Sequence, residues 1–130
     1  MVGKAVLVAM VGNAVLVLEM AFCGLGAALA FVTLWWEFAF EEALDLGGGI
    51  FFSALTVGFS SAFLVASKRL AGQRVSHPWV AVGALAAGLS CLLLLVVYAG
   101  GTEVSLITLG FAGIVMHHLP WIIRRAPRSS

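Results

Sequence analysis

The chain has 130 residues, of which 62% are hydrophobic and 10% are charged, and its formal net charge is +1. A soluble domain carries about 25% charged residues to keep its surface in water, so this composition excludes an ordinary soluble globular protein. The near-neutral charge also excludes nucleic-acid binding, which needs a concentrated basic face. We predict an all-α integral membrane protein that forms a single transmembrane domain over residues 1–130 and has the lipid bilayer as its first partner.

Four apolar segments are long enough to cross a bilayer, because about 20 helical residues at about 1.5 Å each span the hydrocarbon. We predict transmembrane helices at about 5–30, 50–67, 79–99 and 104–123. Cys23 and Cys91 lie within these apolar runs, where a cysteine usually packs as a small buried side chain.

An amphipathic segment, residues 33–46, follows the first span. Glu37, Glu41 and Asp45 share one helical face, and Phe40 and Leu44 share another. Because the second span begins soon afterwards, we predict that this segment bends to lie along the outer membrane surface. The alternative is one long helix that projects outward. We interpret the acidic face as solvated, with a docking edge for a basic partner as the alternative.

The basic residues indicate the orientation, since all seven fall on one side of the four spans: Lys4, Lys68, Arg69, Arg74, Arg124, Arg125 and Arg128. Five of the six acidic residues fall on the opposite side. The positive-inside rule therefore predicts an N-in/C-in, multi-pass protein of the cell's inner (cytoplasmic) membrane, with both termini in the cytoplasm.

Glu19 is the ionisable side chain set well inside the first span. A carboxyl group in hydrocarbon is costly unless it is neutral, paired or in contact with water. Counted from Ala5, Glu19 lies about 22 Å along the helix, near the middle of the bilayer, on a face that also carries Gly12, Cys23 and Gly26.

No basic residue falls at the predicted depth of Glu19, so we expect the carboxyl to be protonated or to be satisfied from outside the chain. A polar stripe on the second span is the expected source of hydrogen bonds within the chain: Ser53, Thr56 and Ser60.

Three histidines are the candidate ligands. His117 and His118 lie near the inner end of the fourth span, and His77 precedes the third. Adjacent helical residues point about 100° apart, so we do not expect the pair to face one cofactor. A metal site built from His77 and one of the pair requires neighbouring third and fourth spans. We expect no metal and no cofactor.

The chain lacks phosphate loops, paired-cysteine motifs, nucleophile elbows and helical zinc motifs, so we predict that it is not an enzyme. The favoured function is a small accessory subunit of a larger integral membrane complex, in which Glu19 contacts another helix or subunit. The alternative is a small homo-oligomeric transporter or channel that uses Glu19 to couple protons or cations. A haem or quinone anchor that uses His117 or His118 ranks lower.

Overall fold

The computed structural model describes residues 2–40 and 46–124. The helices of this part of the chain are α1 (Val2–Phe40), α2 (Leu46–Leu70), α3 (Pro78–Ala99) and α4 (Thr102–Arg124). Each contains a stretch long and apolar enough to cross a membrane. The prediction of an all-helical chain with four candidate spans is confirmed, and the four spans indicate a multi-pass membrane protein.

Short connections make consecutive helices antiparallel neighbours. Gly100 and Gly101 form the tight turn between α3 and α4 with φ angles of 67° and 101°, a region that glycine adopts without steric cost. The ends of α2 and α4 therefore meet the start of α3 at one end of the bundle. We call this the basic end, because Lys68, Arg69 and Arg124 lie in the last turns of α2 and α4.

Small residues allow the helices to approach closely. A Cβ atom on Gly58 of α2 would lie 2.7 Å from the Cα of Gly88 in α3, and a Cβ on Gly26 of α1 would lie 2.7 Å from the ring of Phe59. In lipid the helices gain no hydrophobic drive from association, so such close packing is what holds them together. The contact between Gly26 and Phe59 also fixes the register of α1 against α2.

The first helix is continuous through residues 33–40, which the sequence predicted to bend away along the membrane surface. The described part of that segment therefore follows the alternative, a single long helix. Glu37 lies near the end of α1, whereas Glu41 and Asp45 lie outside the described residues.

The first helix is also much longer than the others, with 39 residues against 25, 22 and 23. Ala9, Gly12 and Leu16 line a groove with Arg69 and Trp121, so the residues before Ala9 run past the basic end. We call residues 3–8 the α1 extension; it is about 9 Å long, and all of its residues are exposed. Relative to the bundle, Glu19 thus lies near the basic end, whereas counting from Ala5 placed it near the middle of the bilayer.

Candidate functional site: a carboxylate held by two histidines

Glu19 contacts both adjacent histidines of α4. Its Oε1 atom lies 2.7 Å from Nδ1 of His117, and its Oε2 atom lies 2.5 Å from Nε2 of His118. The Glu19 side chain is only 11% exposed. The sequence led us to expect a protonated carboxyl, a partner outside the chain or hydrogen bonds from the polar stripe, whereas the structure places two histidines of the same chain against it. The antiparallel course of α4 brings the histidines to the depth of Glu19.

The two neighbouring histidines share one carboxylate because the carboxylate presents two oxygen atoms. Glu19 approaches between the two helical directions in which His117 and His118 point, and each ring reaches one oxygen. The ring centroids lie 4.9 Å apart, with the planes inclined at 38°. The angle of about 100° between adjacent residues, which argued against a shared ligand, is thus spanned by the width of the carboxylate and the length of the side chains.

The hydrogen-bond partners assign the protons of His118. Its Nδ1 atom lies 3.4 Å from Nη1 of Arg69, and a guanidinium group can only donate. Nδ1 is therefore the acceptor, and Nε2 carries the proton that His118 donates to Glu19. This assignment makes His118 a neutral imidazole that donates to Oε2 of Glu19. Arg69 supplies a positive charge one side chain away.

Arg69 was not singled out in the sequence, although it ties α2 to the site. Its Nη1 atom donates to the carbonyl oxygen of His117 over 3.1 Å, and its Cζ atom lies 5.6 Å from the centroid of the Trp121 ring. Pro120 lies within α4 and has no N–H group for the carbonyl of Met116, so the helix is weakened where Arg69 approaches it. The signal in the sequence was an arginine in the last turn of α2, at the same end as the histidine pair.

The site is buried on one side and accessible on the other. The side chain of His118 is fully buried, whereas that of His117 is 39% exposed. His117 opens onto two adjoining grooves at the basic end. The α4 groove is lined by Arg69, Met116, His117, Pro120, Trp121 and Arg124. The α1 groove is lined by Arg69, His117, Trp121 and residues of α1 that include Asn13. Water at the basic end can therefore approach His117.

A layer of phenylalanine rings closes the bundle core on the other side of Glu19. Phe59 packs edge-on against Phe111, with ring centroids 4.9 Å apart, and Phe22 lies 6.2 Å from Phe59. Phe111 is fully buried and lies seven residues before His118, about 10 Å further along the same face of α4. We call Phe22, Phe59 and Phe111 the aromatic layer.

The other residues singled out in the sequence lie elsewhere. The polar stripe of α2 is level with Gly26 and beyond it, since Phe59 contacts Gly26, and so lies more than a helical turn from Glu19. Thr56 donates to the carbonyl oxygen of Phe52 over 2.7 Å, while Ser53 is exposed and Ser60 is half-buried.

His77 is separated from the histidine pair, although α3 and α4 are indeed neighbours. It is exposed immediately before α3, where it lines a cavity of about 190 Å³ between α2 and α3 with Lys68 and Val80. Among the described residues, the group with metal-ligand spacing consists of Glu19, His117 and His118, and His77 is not part of it.

The chemistry of this group favours protons over a metal ion. Its ligand atoms all lie within 4.8 Å of one another, which is close enough to surround an ion. A histidine that binds a metal through one nitrogen, however, usually donates the N–H of the other to an acceptor. The other nitrogen of His118 faces Arg69, which is itself a donor. A metal on Nε2 would therefore place two donors against each other.

Comparison with known proteins gives no relative for this chain: no family model, no curated protein and no solved structure matches it.

Proposed function

We propose that this protein is a small membrane transporter or channel in which Glu19 exchanges a proton through His117 and His118. The observation that supports the proposal is the pair of hydrogen bonds that joins both oxygens of Glu19 to the two histidines. Chains of carboxyl and imidazole groups within membrane spans are typical of proton paths in pumps and transporters. A carboxyl that served only to tie two helices together needs no histidine exposed to a groove.

The proton enters from the basic end. Water delivers a proton to Nε2 of His117, and the Nδ1 proton of the same ring passes to Oε1 of Glu19. The imidazole is again neutral, with its proton moved from Nδ1 to Nε2, and Glu19 becomes a neutral carboxylic acid. Neutral Glu19 no longer attracts the His118–Arg69 pair, so the hydrogen bonds that hold Glu19 against α4 weaken. Passage to the opposite side then requires the aromatic layer to open.

The basic end is proposed to face the cytoplasm of a cell whose inner membrane holds the protein, with both termini inside. Lys68, Arg69 and Arg124 lie together at this end, and Glu103 lies in the first turn of α4 at the other. Impermeant maleimide added to right-side-out cells should label Thr102→Cys and spare Ser76→Cys, in a variant without the native cysteines. The reverse labelling pattern would contradict this orientation.

The proposal predicts proton flux in liposomes. Purified protein in vesicles that contain a pH-sensitive dye should acidify the lumen when a pH gradient is imposed and potassium with valinomycin clamps the voltage. Glu19→Gln keeps the size of the side chain and one acceptor oxygen but cannot ionise, so the flux should fall at least about a hundredfold, the lower end of the range attributed to one positioned proton-transfer group.

Glu103→Gln is the matched control, because it removes an exposed acid from the far end of α4, and it should leave the flux unchanged. Equal flux through wild-type protein and Glu19→Gln would contradict the proposal. A flux no greater than that of empty vesicles would contradict it too.

A second candidate is the accessory subunit of a larger membrane complex, favoured by the α1 extension. This stretch exposes Val6, Leu7 and Val8 past the basic end, and a helix of another subunit would cover them. Under this alternative, a tagged protein in mild detergent carries larger membrane proteins with it in fixed stoichiometry. Removal of the extension then abolishes the association.

A further inference from the structure

We infer that the α4 groove binds the phosphate group of an anionic phospholipid. Arg69 and Arg124 both line this groove. Two guanidinium groups that converge on one opening favour a phosphate, because each presents several N–H donors in a planar fork that matches phosphate oxygens. Arg69 uses its Nη1 atom towards α4, and its five N–H groups leave further donors for a ligand.

The position of the groove favours a lipid over a free anion. It lies at the end of two candidate spans, where headgroups meet the hydrocarbon, and Trp121 lines it. Tryptophan is enriched at this depth of a membrane. Basic pockets between helices at a membrane surface are typical binding sites for anionic headgroups.

The surface next to the groove suits an acyl chain. From Met116 the outer face of α4 continues away from the basic end through Gly113 to Leu109, and both Met116 and Leu109 are about 70% exposed. A Cβ atom placed on Gly113 would meet nothing within 4 Å. Met116, Gly113 and Leu109 thus form an apolar strip at helical spacing, with a shallow depression at Gly113. A lipid whose phosphate lies between Arg69 and Arg124 has its acyl chain directed along this strip into the membrane.

The inference does not depend on proton movement, since it rests on the two arginines and the apolar strip. Native mass spectrometry of the intact chain in mild detergent tests it, with phosphatidylglycerol and phosphatidylcholine as the added lipids. Wild-type protein should retain phosphatidylglycerol at least about tenfold more tightly. Arg124→Gln should remove most of this preference, because it deletes one charge-assisted contact.

Arg124→Gln suits the test because Arg124 is exposed at the end of α4, so the fold does not depend on it. Arg124→Lys should keep part of the preference. Arg74→Gln is the matched control: it removes an exposed arginine from the α2–α3 loop, outside the groove, and should leave the preference intact.

Three outcomes would overturn the inference. The first is equal retention of the two lipids. The second is an equal loss of preference in Arg74→Gln and Arg124→Gln, which would show general charge attraction. The third is displacement of phosphatidylglycerol by millimolar inorganic phosphate, which would show that the groove takes a free anion and that the acyl chain adds nothing.

Discussion

The two halves of the first predicted span are similarly apolar but differ in how they pack against the other helices. In the α1 extension (residues 3–8) every residue is exposed, whereas Leu16, Cys23 and Ala30 are buried at intervals of seven residues. The half that contains these buried residues also carries Glu19. Hydropathy reflects the free energy of transferring a helix from water into lipid, but it does not indicate which part of that helix packs against another helix. The part that has neighbours is the part that carries the site.

Removal of the Glu19 side chain should have the largest effect on stability. Glu19→Ala leaves the Nε2 donor of the buried, neutral His118 without an acceptor, which costs up to about 3 kcal/mol. The free energy of unfolding, measured by circular dichroism in mixed micelles of increasing SDS content, should fall by that amount.

Asn13→Ala is the control for this variant, since Asn13 is a polar residue of the same helix that is exposed. Its effect should stay within about 0.5 kcal/mol. Equal losses in the two variants would mean that the carboxylate is no better anchored than an exposed amide.

A matched pair of glycine substitutions compares the packing of the two halves. Gly26→Leu places a side chain against the ring of Phe59, which the aromatic layer holds in place, whereas a Cβ atom on Gly12 meets nothing within 4 Å and the leucine there extends into an open groove. Overpacking of this kind costs about 2 kcal/mol, so the same unfolding titration should separate the two variants by that amount. If Gly12→Leu proves as damaging as Gly26→Leu, the first half of the span is packed against something in the purified protein.

Deletion of residues 3–8, which lie outside the α1 groove, should have the smallest effect. These residues are all exposed, so the truncated chain should unfold within about 0.5 kcal/mol of the full chain and should keep its proton flux. A large loss of stability would contradict the comparison between the two halves. A loss of flux with unchanged stability would show that the extension belongs to the transport path.

The sequence was sufficient for the number and type of elements, because the length and apolar character of a span are local properties. It also drew attention to Glu19, since one ionisable residue within an apolar run is conspicuous. The position of Glu19 relative to the ends of the bundle could not be found by counting from Ala5. Apolar residues 5–8 qualify for lipid by composition, and their position past the basic end follows from the register of α1 against α2, which contacts such as Gly26 with Phe59 determine.

The pairing of Glu19 with His117 and His118 could not be predicted from local patterns. It depends on α4 lying beside α1, and these two helices are separated by most of the chain. Adjacent helical residues point about 100° apart, yet both can reach one carboxylate because it offers two acceptor atoms. Arg69 was counted only as a topology signal, although its place in the last turn of α2 put it at the same end of the bundle as the histidines.

The central claim is that Glu19 is an ionised acceptor that takes up a proton from the basic end. Infrared difference spectra of the protein in lipid, recorded while the pH is lowered, measure this directly through the C=O stretching band of a protonated carboxyl group. Wild-type protein should gain such a band together with changes in the imidazole ring modes. Glu19→Gln should lose the carboxyl band, and Glu103→Gln should retain it. A spectrum in which the band is already present at high pH, or is unaffected by Glu19→Gln, would contradict the account.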